Sequence, residues 1–338
     1  MTTPKQSSPH MRLRELTQGF LIMQALYVTA ELGIADLLAE GPQTSDELAA
    51  ATGAHPRSLY RVLRALSSKG VFTEVEPSRF GLTDLGRCLH TGGKGSLRSW
   101  FRIHGRLIYP AAGNLLYGVR TGQSAFEQTF GASLFDYLAD HPDDSALFNA
   151  AMTERSWPMV DATVAAYDFS RFQRIVDVGG GQGVLLTAIL QTYPTTTGVL
   201  FDLPHVAKEA RTAIEQASLA GRCEIAGGDF FDAAPAGGDA YLLAAIIHDW
   251  EDDQATRILG NCRQAMVSNG RLLLIERVVP SGDEPDPSKL MDLVMLVGPG
   301  GQERTQAEYD TLLANAGFHL SRIVPTSSYA NVIEAIPV

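Results

Sequence analysis

The sequence predicts an α/β protein in two parts: a doubly wound parallel sheet in the C-terminal half, preceded by a smaller, mostly helical winged-helix unit. Three observations carry that expectation. Short apolar runs ending in polar residues alternate with helical stretches from residue 174 onward. One of those runs passes into a helix through four glycines. Residues 44–83 read as helix, short turn, helix and hairpin.

The glycine stretch, RIVDVGGGQGVLLTAI, organises the rest. Ile175, Val176 and Val178 belong to a buried parallel strand. Gly179, Gly180, Gly181 and Gly183 follow, and a turn without Cβ atoms lets bare backbone approach a ligand. The spacing is not that of a dinucleotide fingerprint, because G-x-G-x-x-G counted from Gly179 needs glycine where Val184 stands. Asp177, two residues before the first glycine, would repel a pyrophosphate and suits a ligand carrying an ammonium or a sulfonium group. A tight turn without a ligand is the alternative. Three adjacent glycines, each costing roughly 1 kcal/mol of chain entropy, argue against it.

The totals bound the class. The chain has 338 residues, enough for two domains, with 45% hydrophobic and 19% charged residues, and a formal charge of −11. That balance argues against broad nucleic-acid binding, which needs Lys and Arg to neutralise phosphates. Cys88, Cys223 and Cys262 are odd in number and far apart, which disfavours a disulfide framework or a zinc site and fits a reducing cytoplasm. The first ten residues lack an apolar signal core. The longest apolar run, residues 241–247, is too short to cross a bilayer. A cytoplasmic protein with no membrane partner is expected.

In chain order, residues 1–10 are expected to be a disordered tail. Residues 11–38 carry apolar side chains at helical spacing, broken near Gly33. Thr44 and Glu47 form a capping box opening a helix that ends near Gly53. Pro56 starts the next helix; Leu59, Val62, Leu63 and Leu66 make one stripe, and Gly70 ends it. Residues 71–83 suggest two strands around Glu76-Pro77-Ser78. This winged-helix pattern, residues 11–96, fits DNA binding through Arg57, Arg61 and Arg64, or a dimerisation or lid domain of the same shape. Residues 1–100 hold 11 Lys+Arg against 9 Asp+Glu, too neutral for a groove-reading domain.

Residues 97–167 read as a helical connecting segment dense in aromatics, partly core and partly a candidate pocket lining. From 168 to 338 the strand–helix alternation runs on. Strands are expected at 198–201, ending at Asp202, and at 223–226, leading into Gly227-Gly228-Asp229-Phe230. Two more are expected at 241–247, ending at His248-Asp249-Trp250, and at 271–275, ending at Glu276, with helices at 206–219 and 256–266. Ligands of such a sheet sit beyond the carboxyl ends of its strands, where these polar residues fall.

Asp202, 23 residues beyond Gly179, is placed to accept both hydrogen bonds of a ribose diol. Asp229 and Phe230 suit an adenine amino group and ring, although a lone turn Asp is as often structural. His248 is the natural general base, with an ordinary pKa near ~6.5. Glu276 and Glu303, the latter in PGGQERT, can hold its ring, unless either is only a solvated surface acid.

From about Leu32 onward the chain resembles the S-adenosylmethionine-dependent O-methyltransferases related to plant caffeic acid O-methyltransferase and to bacterial enzymes acting on aromatic antibiotics and pigments. The matching segments, in order, are VDVGGGQG, FDLPHV, GGDFF, IIHDWEDD, LLLIERVVP, DLVMLV, GPGGQERT and EYDTLLANAGF. The resemblance implies a winged-helix dimerisation domain, hence a homodimer, and a Rossmann-like class I methyltransferase domain. It implies S-adenosylmethionine as cofactor, no metal, no nucleic acid, and a small aromatic substrate. By position, Gly179, Gly181, Asp202, Asp229 and Phe230 would bind the cofactor with Asp177, and Arg155 would meet its carboxylate. His248 would be the base beside Glu276 and Glu303, with Met152, Asp249 and Met295 near the substrate. Two positions depart from many plant members: Ala244 replaces a lysine, and Gly298 an asparagine with one residue fewer before Pro299. The plant phenylpropanoid substrates therefore do not carry over.

Overall fold

The computed structural model describes residues 8–92 and 95–338. Most of the expected tail lies outside them. Within them, Ser8 accepts a hydrogen bond from Met11 N–H and caps a helix over Pro9–Leu16, so residues 9 and 10 are helical.

The chain divides into two compact units. One comprises Met1–Tyr109 with Asp143–Arg155, the other Pro110–Pro142 with Ser156–Val338. The segment expected to connect two domains, 97–167, is thus shared between them.

In the first unit, helices Gly19–Glu31 and Ile34–Leu37 are separated by Gly33 at φ 66°. The Thr44/Glu47 capping box forms and opens the helix Ser45–Thr52, which stops at left-handed Gly53. The helix Pro56–Ser67 buries Leu59, Leu63 and Leu66, leaving Arg57, Arg61 and Arg64 exposed. Two-residue strand β1 (Gln43–Thr44) joins β2 (Phe72–Glu76) and β3 (Arg79–Leu82) in an antiparallel sheet of order β1-β3-β2. Strand β1 is too short to show periodicity, so only the hairpin was legible. Ile34, Leu48, Leu63, Phe72 and Phe80 form the core.

The second unit is built on a seven-stranded sheet. Its strands are β4 (Arg174–Val178), β5 (Thr197–Asp202), β6 (Cys223–Gly227), β7 (Ala240–Ala244), β8 (Arg271–Glu276), β9 (Phe318–Pro325) and β10 (Asn331–Pro337). The order is β6-β5-β4-β7-β8-β10-β9. Strands β4 to β8 are parallel, while β10 runs antiparallel to β8 and β9. The expected wholly parallel sheet therefore gains an antiparallel edge, a common addition to doubly wound sheets. Successive residues of the parallel strands enter opposite cores: Ile175 and Leu200 pack with Leu186 and Ile189, and Val176, Val199 and Tyr241 with Ile258 and Leu259. Both faces are covered, which is why these strands read as unbroken apolar runs.

Strand β7 corrects one boundary. It stops at Ala244, Ala245 adopts φ 54°, and Ile247–Asp249 is a single turn of 3-10 helix. His248 stands on that turn, not at a strand terminus. Among the described residues no helix is long and apolar enough to cross a membrane.

Candidate active site

The strand order reverses at β4, and the carboxyl ends of β4, β5, β6, β7 and β8 share one edge, so the loops there face a common crevice. After β4, Gly179, Gly181 and Gly183 all take positive φ, at 72°, 56° and 74°. Gly180 adds a steric requirement: a Cβ there would sit 2.3 Å from Leu200 Cδ1 and 2.7 Å from Asp177 Oδ2. Around Gly181 there is open space. Its N–H donates to Asp202 Oδ2 at 2.8 Å, and Leu203 N–H donates to Asp202 Oδ1 at 2.7 Å. Burial raises the Asp202 pKa, opposed by these two N–H groups.

Asp177 is placed beneath this loop rather than in front of it, at 1% exposure. Burial, with the Asp202 charge beyond it, pushes its pKa up to about 7, and its Oδ2 has no hydrogen-bond partner among the described residues. Asp229 is exposed and accepts from Phe231 N–H at 2.8 Å. Phe230 packs edge-on against Phe231 and Trp250, and Trp250 stacks on Phe135 at 5.4 Å.

The turn carrying His248 abuts the glycine loop, since a Cβ on Gly179 would lie 2.5 Å from Ile246 Cδ1. Glu276, closing β8, holds the turn by its backbone: Oε1 accepts from Ile246 N–H at 3.0 Å and Ile247 N–H at 2.8 Å. Its Oε2 lies 3.6 Å from His248 Nδ1. Glu303 Oε1 is 3.1 Å from the same nitrogen, and Asp249 Oδ1 is 3.5 Å from Nε2. His248, Glu276 and Glu303 are all buried. Burial draws the imidazole toward neutrality, but Glu276, Asp249 and Glu303 outweigh it and raise the pKa to about 9. Burial likewise lifts Glu276 to about 7 against the pull of His248. The ordinary value expected for His248 is corrected by this ring of acids.

Several supporting residues were not foreseen. Arg304 is wholly buried; its guanidinium donates to Ile247 O at 3.0 Å, Trp250 O at 2.8 Å and Asp252 Oδ1 at 2.8 Å, clamping both ends of the His248 turn. Gly301 is pressed against that turn, where a Cβ would be 2.1 Å from His248 O. Gln302 N–H donates to the same oxygen at 2.9 Å. Asp292 accepts from Glu303 N–H at 2.8 Å, and the Arg277 guanidinium lies 3.4 Å from Glu303 Oε1. The only hint in the sequence was the polar run GGQERT before a second capping box, Thr305 with Glu308.

A model of the O-methyltransferase domain matches residues 113–319, and one of the O-methyltransferase dimerisation domain matches 14–92. The chain belongs to this O-methyltransferase family. The methyltransferase is 47% identical to phenazine O-methyltransferase PhzM of Lysobacter antibioticus, with 96% of each chain covered. It is 39% identical to an 8-amino-8-demethylriboflavin N,N-dimethyltransferase of Streptomyces davaonensis, covering 96% of this chain and 94% of that one. Its structure matches the O-methyltransferase NcsB1 of neocarzinostatin biosynthesis, solved with S-adenosylmethionine and 2-hydroxy-5-methyl naphthoic acid. That match has a TM-score of 0.85 at 35% identity, over 96% and 98% of the chains.

The family's cofactor, S-adenosylmethionine, fits what the glycine loop offers: open space beside Gly181 and the Asp202 carboxylate at the neighbouring strand end. His248, Glu276 and Glu303 each bring a ligand atom within 4.8 Å of the others. The imidazole and Arg277 already supply positive charge to those carboxylates, and no metal is assigned there. Met295, 6% exposed, lies on the helix Pro287–Val297 of the same unit as His248. Met152 and Arg155 belong to the other unit, on the helix Pro142–Ala166.

Proposed function

We infer that the enzyme methylates a phenolic hydroxyl of an aromatic small molecule in secondary metabolism, with His248 as general base. The observation that carries this reading is the imidazole held between buried Glu276 and Glu303, on a turn that touches the glycine loop. S-adenosylmethionine, when bound, supplies an electrophilic methyl group on a sulfonium. Gly179, Gly181, Asp202, Asp229 and Phe230 are proposed to hold it, Asp177 to act from beneath the loop, and Arg155 to meet its carboxylate. Asp249, Met152 and Met295 are proposed to contact the substrate.

The residues do two things. They hold the reactants in a dry, fixed geometry, which can supply ~7–11 kcal/mol. They also take a proton: His248 passes its Nδ1 hydrogen bond to Glu303, which leaves Nε2 to accept the hydroxyl proton, and the carboxylates stabilise the imidazolium that results. General-base assistance is worth roughly 10²–10⁴-fold.

Calorimetry with S-adenosylhomocysteine and a methyl-transfer assay on a panel of phenols test this. Heat of binding together with methyl ethers as products is expected; well-folded protein that binds no S-adenosylhomocysteine would overturn it. The likeness to an N,N-dimethyltransferase favours a second reading, methylation of nitrogen. Aryl amines methylated in preference to phenols, with a rate indifferent to His248, would select it.

A homodimer is also proposed. Met11, Leu13, Leu16, Phe20 and Leu21 are all exposed, and the helix Pro9–Leu16 buries no residue of its own. Such a patch suits a second copy, and light scattering at twice the monomer mass is the expected result.

A further inference from the structure

The turn that carries Asp229 and Phe230 lies beyond the last residue of β6, outside the sheet. Gly228 N–H donates to Asp202 O at 2.9 Å, which ties the turn's start to the end of β5. Asp232 N–H and Ala233 N–H then close back on Asp229 O, at 3.0 and 3.1 Å, and the Asp229 carboxylate accepts from Phe231 N–H at 2.8 Å. The carbonyls of such a turn have no strand ladder to join and need partners of their own.

One side chain supplies them. Asn261, half-buried on the helix Asp252–Ala265, donates from Nδ2 to Phe230 O at 2.8 Å and to Phe231 O at 2.9 Å. A carbonyl only accepts, so the amide must present its NH2 group to this pair, and its two hydrogens match two oxygens. The helix that carries Asn261 starts at Asp252, just after the His248 turn, and Arg304 pins that start through Asp252 Oδ1 at 2.8 Å. The Asp229 turn thus hangs from an element already fixed beside the imidazole. On its other side the Phe230 ring borders the glycine loop, since a Cβ on Gly179 would lie 3.6 Å from Phe230 Cε1.

We propose that Asn261 is a positioning residue for the methyl donor, holding the turn so that Asp229 accepts the exocyclic amino group of adenine while Phe230 packs against the ring. This rests on the proposed placement of S-adenosylmethionine at the glycine loop, and adds how its adenine end is told apart from other purines. The Asp229 carboxylate keeps acceptor capacity beyond the Phe231 bond. Aimed by a fixed turn, it rejects a purine that carries a carbonyl in place of the amino group. On a loose turn it swings clear, and the rejection weakens.

Calorimetry with S-adenosylhomocysteine and its 6-oxo counterpart, S-inosylhomocysteine, compares wild type with Asn261→Ala, Asn261→Ser and a control, Arg222→Ala. Arg222 makes the same kind of bond elsewhere in the unit, donating to Leu190 O, Tyr193 O and Thr196 O near the amino end of β5. Wild type is expected to prefer the adenosyl ligand by roughly tenfold or more. In Asn261→Ala the preference falls to within about threefold and the KM for S-adenosylmethionine rises about tenfold, while the KM for the acceptor changes less than twofold. Asn261→Ser, which keeps one donor, falls between, and decides the matter if Asn261→Ala does not fold. Arg222→Ala loses Tm but keeps the full preference. A preference unchanged in the Asn261 variants, with only Tm lowered, makes the residue merely structural and overturns the proposal. An equal loss of preference in Arg222→Ala overturns it too. So does a wild type that binds S-adenosylhomocysteine no better than the inosyl ligand, a result that leaves the parent reading standing. Wild type that binds neither ligand fails the parent reading and takes this one with it.

Discussion

His248 and His104 are two imidazoles, one buried and one half-buried, and their surroundings send them in opposite directions. His248 has Glu303 at 3.1 Å, Asp249 at 3.5 Å and Glu276 at 3.6 Å, and its pKa rises to about 9. His104 has one backbone carbonyl and a distant guanidinium, and falls to about 4. Burial acts on both in the same sense, toward the neutral ring; only the carboxylates reverse it. One ring is thus equipped to take up a proton and stabilise the resulting charge, the other to remain neutral.

The most severe way to break the comparison is to remove the base. His248→Ala should lower kcat by roughly 10²–10⁴-fold while S-adenosylhomocysteine still binds in calorimetry. Normal turnover would mean that proton removal is not its task. Next comes the clamp. Arg304→Ala leaves Ile247 O and Trp250 O without their buried donor, and roughly 1–3 kcal/mol of stability for each oxygen left unpaired should be lost in denaturant unfolding. Gly301→Ala is milder: its Cβ must push the His248 turn aside, costing roughly 1–3 kcal/mol and lowering Tm measurably. The smallest effect is the most specific. Glu303→Gln removes one negative charge from Nδ1, so the His248 pKa falls and the acid limb of the rate profile moves down by about one pH unit.

Much of this was legible in the chain because it is written locally. Thr44 and Glu47 announced their helix, the four glycines announced the loop after β4, and Asp202, His248 and Glu276 fell just beyond apolar runs. The strands β9 and β10 were not read, since β9 carries charged and polar residues on an edge and the two form an antiparallel pair in a region read as alternating parallel units. Arg304 and Gly301 look like turn residues until folding sets them against a loop some fifty positions earlier. The protonation of both histidines was invisible for the same reason: it depends on which charges arrive within a few ångströms, and those come from elements far apart in sequence.

The central claim, that carboxylate-held His248 takes the substrate proton, is tested most directly by the pH dependence of kcat/KM, which reports the free enzyme's ionisations. Only the unprotonated ring can act as base, and with a pKa of about 9 it is roughly one molecule in a hundred at pH 7. The account predicts a rate rising about tenfold per pH unit from neutrality to a plateau near pH 9, on a hydroxyl substrate, with the rise abolished in His248→Ala. A profile already flat above pH 7, or a rise that survives in His248→Ala, would contradict it.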